Sequence, residues 1–376
     1  MSAIGLFQTY WQGHQLAAES PTRISWILSV FGFLDCLFCI VVGAIFDRFQ
    51  PRYYLPAGCL VYTAAFLGLG WASTYAQFLG CFVVGGIFAA FPAVVGFAVV
   101  DQWFRRHQAL AIGFVTLGAP VGGIFFSLVL QMLFVRLEWK AAMVVLSCIL
   151  LGFLIIGNLL VETRPTKSRG RTDIGPASAW SFLRSRKFFL FTYSVFVFEF
   201  VLFAQWGSLP AYAVFVGLGN QFYVQMTYNI GAIFARTAPP YLATRWGPFN
   251  ATLLMISFTI LVMLAVWVPF GDHSVTALYA VAFLIGVGTG SYTPLAASCI
   301  SELCDGRGYG KWIGACYSFG SVANLISNPV TQAVLQNKGP RSLVVLLSGV
   351  LFSAFCACLC ARWLKQGGKW ALSVRV

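Results

Sequence analysis

"GAIFDRFQPRYYL", Gly43 to Leu55, decides how this chain is read. An apolar run ends in an aspartate and an arginine, a proline turns the chain, a second arginine follows, and apolar sequence resumes. Such a loop suits a chain that leaves an apolar medium, turns on a wet face and re-enters. "PYLATRWGPFN", Pro240 to Asn250, repeats the plan of small residue, short spacer, basic residue and turn roughly 200 residues later. Two loops of one chemistry, half a chain apart, point to related halves.

The totals agree with a membrane setting. Of 376 residues, 59% are hydrophobic and 9% charged, and the mean hydropathy is +0.81. The apolar residues come in blocks of about 20, which at 1.5 Å per helical residue match the ~30 Å hydrocarbon core of a bilayer. The fold class is an all-α polytopic membrane protein. A net charge of +13 has no basic stripe or nucleic-acid motif beside it, so no nucleic-acid partner is expected. The eleven cysteines sit mostly inside apolar runs, against a disulfide framework. Cys36 and Cys39 form a CxxC, but His14, His107 and His273 all fall in loops and no second ligand pair exists. Neither a metal nor another cofactor is expected. With no nucleophile–base or metal constellation, the chain is not read as an enzyme. Cys356, Cys358 and Cys360 read as apolar filler, with palmitoylation as the alternative.

Apolar runs between charged breaks give eleven full spans. They are Arg23–Phe46, Tyr54–Ala72, Gln77–Val100, Gln108–Phe134, Ala141–Val161, Phe188–Val214, Gln221–Ala243, Ala251–Phe270, Val275–Ser301, Lys311–Gln336 and Ser342–Leu364. Met1–Trp11 is apolar but too short to cross, and reads as the last part of a further, truncated first span. Lysine and arginine divide between the two sets of loops at about 18 against 5. The richer set is expected in the cytoplasm, together with the C-terminus, most simply at the plasma membrane. The longest hydrophilic stretch, "ETRPTKSRGRTDIGPASAWSFLRSRK" (Glu162–Lys187), separates five full spans from six. The expected organisation is an N-terminal helix bundle over 1–161, a cytoplasmic central loop over 162–187, and a C-terminal bundle with tail over 188–376.

The residues then carry a family resemblance. "GAIFDRFQPRYYL" resembles the loop 2–3 signature of the major facilitator superfamily through Gly43, Asp47, Arg48 and Arg52, with Gln50 where glycine is usual. "GLFQTYW", "SPTRISWI", "QWFRRHQALAIGF", "GAIFARTAPPYLATRWGPFN" and "YGKWIGACYSFGSVANLISNPV", in that order, resemble fungal monocarboxylate-porter-like transporters. The resemblance implies two six-helix bundles that rock around a midplane site, with a small-molecule substrate and the lipid bilayer as partners. It implies that Gly43, Asp47, Arg48 and Arg52 form a gate that steadies the outward-facing state. Gly43 is expected to permit close helix approach, and Asp47 to accept bonds from arginines and a facing helix N-terminus.

Three charged residues lie well inside predicted spans. Glu199 is ~18 Å from Lys187, Asp35 is ~20 Å from Thr22, and Arg236 is ~13 Å from Arg245, at 1.5 Å per residue. Charges at such depth cost a few kcal/mol unless they meet a cavity or a partner. In animal monocarboxylate carriers, to which this region is similar, an arginine in a matching "IFAR" context meets the substrate carboxylate. The resemblance thus gives Arg236 an anion-facing role, for which a planar, permanently charged fork is suited. Structural pairing and snorkelling are its other readings. The carriers' aspartate one turn earlier is Ala232 here, and their first-helix lysine falls near Ser2, so simple proton–lactate symport is not implied. Glu199 stands either as a structural partner of Arg236 or as a protonation switch, with the proton as coupling ion. Asp35 is a third candidate of the substrate site.

Function follows as secondary active transport of a small organic anion or acidic metabolite, with efflux of a biosynthetic product favoured. Proton-coupled uptake of a monocarboxylate or vitamin is the alternative. A non-transporting or decayed membrane protein is the competitor from another class.

Overall fold

The structure, a computed structural model, describes residues 3–103, 108–162, 185–303 and 309–367; among them there is no strand. The first half contains α1 (Gly5–Gly13), α2 (Pro21–Arg48), α3 (Pro51–Gly68), α4 (Tyr75–Trp103), α5 (Gln108–Arg136) and α6 (Trp139–Leu160). The second contains α7 (Arg186–Val216), α8 (Gln221–Ala235), α9 (Ala238–Trp246), α10 (Pro248–Val262), α11 (Val275–Gly290), α12 (Tyr292–Leu303), α13 (Tyr309–Lys338) and α14 (Pro340–Lys365). A π-turn at Met263–Trp267 continues α10 to Phe270. The central stretch 163–184 lies outside the described residues.

Helix boundaries have local causes. Ser20 caps α2, its hydroxyl accepting the Arg23 amide at 3.3 Å, while Pro21 occupies the first turn, where its missing N–H is no loss. Asn220 and Ser274 cap α8 and α11 through the amides of Phe222 and Ala277. Gly217, at φ 70°, ends α7 in the left-handed conformation that glycine adopts without penalty.

Nine helical segments among the described residues are long and apolar enough to cross a membrane. Two of the eleven spans expected from sequence are not among them, for different reasons. Gln221–Ala243 is broken: α8 ends at Ala235 and α9 begins at Ala238. Pro239 and Pro240 have no N–H for the carbonyls of Ala235 and Arg236, so the hydrogen-bond ladder cannot pass. Lys311–Gln336 lies within α13, whose 30 residues are ample, but its composition is polar. Ser321, Asn324, Ser327, Asn328, Thr331 and Gln332 are all buried on it. Val322, Ile326 and Val330 form an exposed apolar stripe on its other face, and the buried polar face lowers the average hydropathy of the helix.

Two large apolar cores form, with two small clusters beside them. One gathers residues between Phe188 and Ala361, and the other residues between Ala3 and Leu146 together with Phe222. Short α1 is anchored in the second by Phe7 and Trp11, Trp11 lying 4.8 Å from the Phe78 ring and 5.3 Å from that of Phe82. Between the halves, α2 packs on α13 and α5 on α8. In the duplicated helix order α2 corresponds to α8 and α5 to α13, so the two interfaces are one contact made twice around a pseudo-two-fold. Small residues set the α5–α8 spacing. A Cβ on Gly123, in "LGAPVGG", would lie 2.6 Å from the Asn229 amide group.

Backbones touch most closely where α8 crosses α11. A Cβ on Gly231 would overlap the Phe283 carbonyl, and one on Gly286 the Tyr228 carbonyl, so the two glycines interlock. Gly286→Val is expected to cost about 1–3 kcal/mol by overpacking and to lower the thermal midpoint of the purified protein. Gly349→Ala, where a Cβ meets nothing within 4 Å, serves as the control and is expected to leave the midpoint in place. Equal midpoints for all three proteins would show that the crossing is looser than described.

Candidate functional site

Arg236 stands where α8 breaks. Its backbone N–H still caps the helix through the Ala232, Ile233 and Phe234 carbonyls, but its side chain leaves the helix toward the other half. There Nη1 donates to the backbone carbonyl of Thr116 on α5. The side chain is half-buried, and its Nε is buried without a hydrogen-bond partner. The phenols of Tyr228 and Tyr317 lie within electrostatic reach of the guanidinium. Tyr228 is fixed from two sides, accepting from Trp206 Nε1 at 3.2 Å and meeting Thr289 Oγ1 at 3.0 Å. The arginine therefore sits at a three-way junction of α5, α8 and α13, with donor capacity left over.

The two carboxylates gather elsewhere, around one turn of α13. Glu199 on α7 is 5% exposed and packs against Gly320, where a Cβ would stand 3.1 Å from Glu199 Cγ. One turn further along α13, Asn324 Nδ2 donates to Cys36 Sγ of α2 at 3.3 Å. Next to that cysteine is Asp35, 8% exposed, with Oδ1 buried and unpartnered. Cys36 is within electrostatic reach of both carboxylates. Cys39, the other half of the CxxC, donates to the Asp35 carbonyl at 3.1 Å and so is occupied within its own helix. Asp35 and Glu199 thus approach the Gly320–Asn324 turn from opposite halves of the molecule.

Among the described residues no ion pair joins Glu199 to Arg236. The pairs that form lie near helix ends: Arg23 with Glu19 at 2.8 Å, Arg341 with Asp272 at 3.4 Å, His273 with Asp272 at 3.0 Å, and Lys365 with Glu302 at 2.5 Å. The expectation that Glu199 balances Arg236 is not met in this conformation, because a backbone carbonyl takes that place. Tyr292 and Tyr317 bridge the gap instead. Tyr292 is within reach of Glu199 and Tyr317, and its ring stacks on Phe198 at 3.8 Å.

The gating residues divide. The Asp47 and Arg48 side chains lie outside what is described, although α2 runs through both residues to its end. Arg52 is exposed in the first turn of α3. At Gly43 a Cβ would meet nothing within 4 Å among the described residues, so no close helix approach is seen there among them. It occurs instead at Gly86, against the Phe31 backbone, and at the Gly231–Gly286 crossing.

Sequence reasoning passed over Tyr228, Tyr292, Tyr317, Asn324 and the Thr116 carbonyl. Two of these had a signal: the serine and asparagine repeat along α13, and Pro120, whose missing N–H leaves the carbonyl four residues earlier unclaimed.

Comparison with known proteins agrees with this architecture. The family model described as Major Facilitator Superfamily matches residues 3–327. An MFS-type transporter of Gibberella moniliformis is 30% identical over 345 residues, covering 89% of this chain and 81% of its own. The agnestins efflux protein of Paecilomyces divaricatus is 25% identical, over 93% of this chain and 82% of its own. The aspyridones efflux protein of Emericella nidulans is 27% identical, over 93% and 71%. The crystal structure of the human organic anion transporter MFSD10 superposes with a TM-score of 0.69 at 15% identity, covering 94% of this chain and 89% of that one. At that identity the likeness speaks for the fold alone. With a family match across most of the sequence, helices that cross a bilayer repeatedly, and two halves joined by duplicated contacts, the chain belongs to the Major Facilitator Superfamily.

Proposed function

We propose that this protein exports a small organic anion, or a secondary metabolite bearing an acidic group, by alternating access between its two helix bundles. The observation that carries the reading is Arg236. A permanent cation at membrane depth, joined to no carboxylate among the described residues and with an unused buried donor, is costly unless an anion visits it. A guanidinium receives a carboxylate through two parallel hydrogen bonds, which fixes orientation as well as supplying energy. Two relatives are named for the efflux of agnestins and aspyridones, which favours export over uptake.

The proton is the coupling ion in this reading. Glu199 is the group that takes it, because a carboxyl titrates whereas a guanidinium does not. The titratable groups facing it are Cys36 of α2, with Asp35 beside that cysteine, and Tyr292 of α12. Bundles 1–161 and 188–376 rock about the site, with 162–187 as the cytoplasmic connection. The loop with Gly43, Asp47, Arg48 and Arg52 closes the cytoplasmic side. The arginine-rich loops and the C-terminus face the cytoplasm, and the plasma membrane is the setting. Proton-coupled uptake of a monocarboxylate would use the same residues in reverse.

Proteoliposomes of known orientation, loaded with aromatic monocarboxylates, test the proposal. Accumulation against the expected direction would replace export by uptake, and absence of flux for any acid would favour a non-transporting protein. Arg236→Lys is expected to raise KM about tenfold, or ~1.4 kcal/mol, since an ammonium cannot offer the fork. An unchanged KM would rule out bidentate capture. Glu199→Gln is expected to leave transport measurable but independent of pH. A pH profile identical to that of the wild type would remove Glu199 from proton coupling.

A further inference from the structure

Helix α5 contains an acceptor that its own ladder cannot use. Pro120 lies inside the helix without an N–H, so the Thr116 carbonyl, four residues earlier, has no amide to close its turn. In a hydrocarbon setting such a carbonyl is costly until another donor reaches it. Arg236 Nη1 is that donor, and it comes from the opposite half of the molecule. The Thr116 hydroxyl is turned away, donating to the Gly113 carbonyl at 2.8 Å, so only the main chain meets the arginine. Gly113 lies close by, since a Cβ there would stand in ordinary contact with the Arg236 carbonyl, at 3.5 Å. Prolines act on both sides of this contact. Pro120 opens the acceptor, while Pro239 and Pro240 end α8 beneath the arginine and free its side chain to cross.

We propose that Pro120 is a positioning residue: it frees an internal acceptor for Arg236 that an incoming anion must displace, so that anion binding and release of the α5–α8 contact are one event. The inference rests on the reading of Arg236 as the anion contact. A carbonyl offers the guanidinium a dipole, whereas a carboxylate offers a full charge and a matching geometry, so the exchange favours the anion. Molecules whose arginine is held by Thr116 are not competent to bind, and the apparent affinity falls by the competent fraction. The same bond ties the bundles together and screens the arginine, so an empty carrier resists opening at this level.

Hydrogen exchange read by mass spectrometry on the purified full chain provides the first arm, with no anion added. Pro120→Ala restores an N–H at 120 and returns the Thr116 carbonyl to its own helix. That variant and Arg236→Gln are each expected to speed amide exchange in residues 229–243 by roughly threefold. The double variant is expected to go no further than either alone, because both remove one bond. Pro92→Ala, at an interior proline of α4, is expected to leave 229–243 unchanged. Additive effects of Pro120→Ala and Arg236→Gln, or no effect, overturn the latch.

The second arm adds 1-naphthoate as an aromatic carboxylate probe, with binding followed by thermal shift. Wild-type protein is expected to show, on binding, the exchange rates of Pro120→Ala in 229–243, and Pro120→Ala to bind roughly fivefold more tightly. Binding that leaves those rates unmoved overturns the displacement. Binding that survives Arg236→Gln, or no binding to the wild type, overturns the anion reading and the displacement with it, while the first arm still decides the latch.

Discussion

Inside a bilayer, a main-chain carbonyl that loses its amide partner has no water to turn to. Helix-interior prolines at 92, 120, 210 and 329 each leave a carbonyl without its helical amide in this molecule. At Pro120 the solution comes from the other half of the protein, as the Arg236 guanidinium on the Thr116 carbonyl. A single contact thereby gives the carbonyl a donor and the guanidinium one acceptor, while the charge of Arg236 stays without a carboxylate partner among the described residues. It also ties the two bundles together where α5 crosses α8.

The buried polar groups follow the same geography. Helix faces that meet only protein tolerate serine, asparagine and glutamate, because neighbouring helices replace water as hydrogen-bonding partners. The buried face of α13 is the clearest case, with Asn324 bonded to Cys36 across the divide and Gly320 holding Glu199, while Val322, Ile326 and Val330 are exposed on its other face. Lipid-facing stretches such as Trp139–Leu160 are strongly apolar on their outer face, with Leu159 and Leu160 exposed on the outside.

Separation of the charges matters as much as their presence. A direct buried Arg236–Glu199 pair would be hard to break and would leave neither group for cargo or proton. Here the arginine sits at the α5–α8 interface, whereas both carboxylates sit near the α2–α13 interface, with Tyr292 and Tyr317 between. Because the two interfaces are related by the internal duplication, a rocking motion of one bundle on the other alters both. Under the proposed function, that arrangement would connect anion occupancy to the environment of Glu199.

Apolar block length, the basic bias of alternate loops and the repeated loop chemistry determined, without coordinates, that this is a duplicated all-helical membrane protein; the motif resemblance carried by Gly43, Asp47, Arg48 and Arg52 pointed to the Major Facilitator Superfamily, which the family match shows. These properties are local: each depends on residues close together in the chain. The depths of Asp35, Glu199 and Arg236 were legible for the same reason, since depth along a helix is a matter of counting. Two features were legible in part. Proline pairs announce a break at Pro239, yet the span was read as continuous because its apolar run does not stop there. Pro120 announces a free carbonyl, yet nothing nearby in sequence names the donor. Only the tertiary structure decided that Arg236 meets Thr116, that Glu199 does not balance it, and that the polar face of α13 is buried. Each of those depends on which faces of distant helices are brought together, and one-dimensional patterns carry no such information.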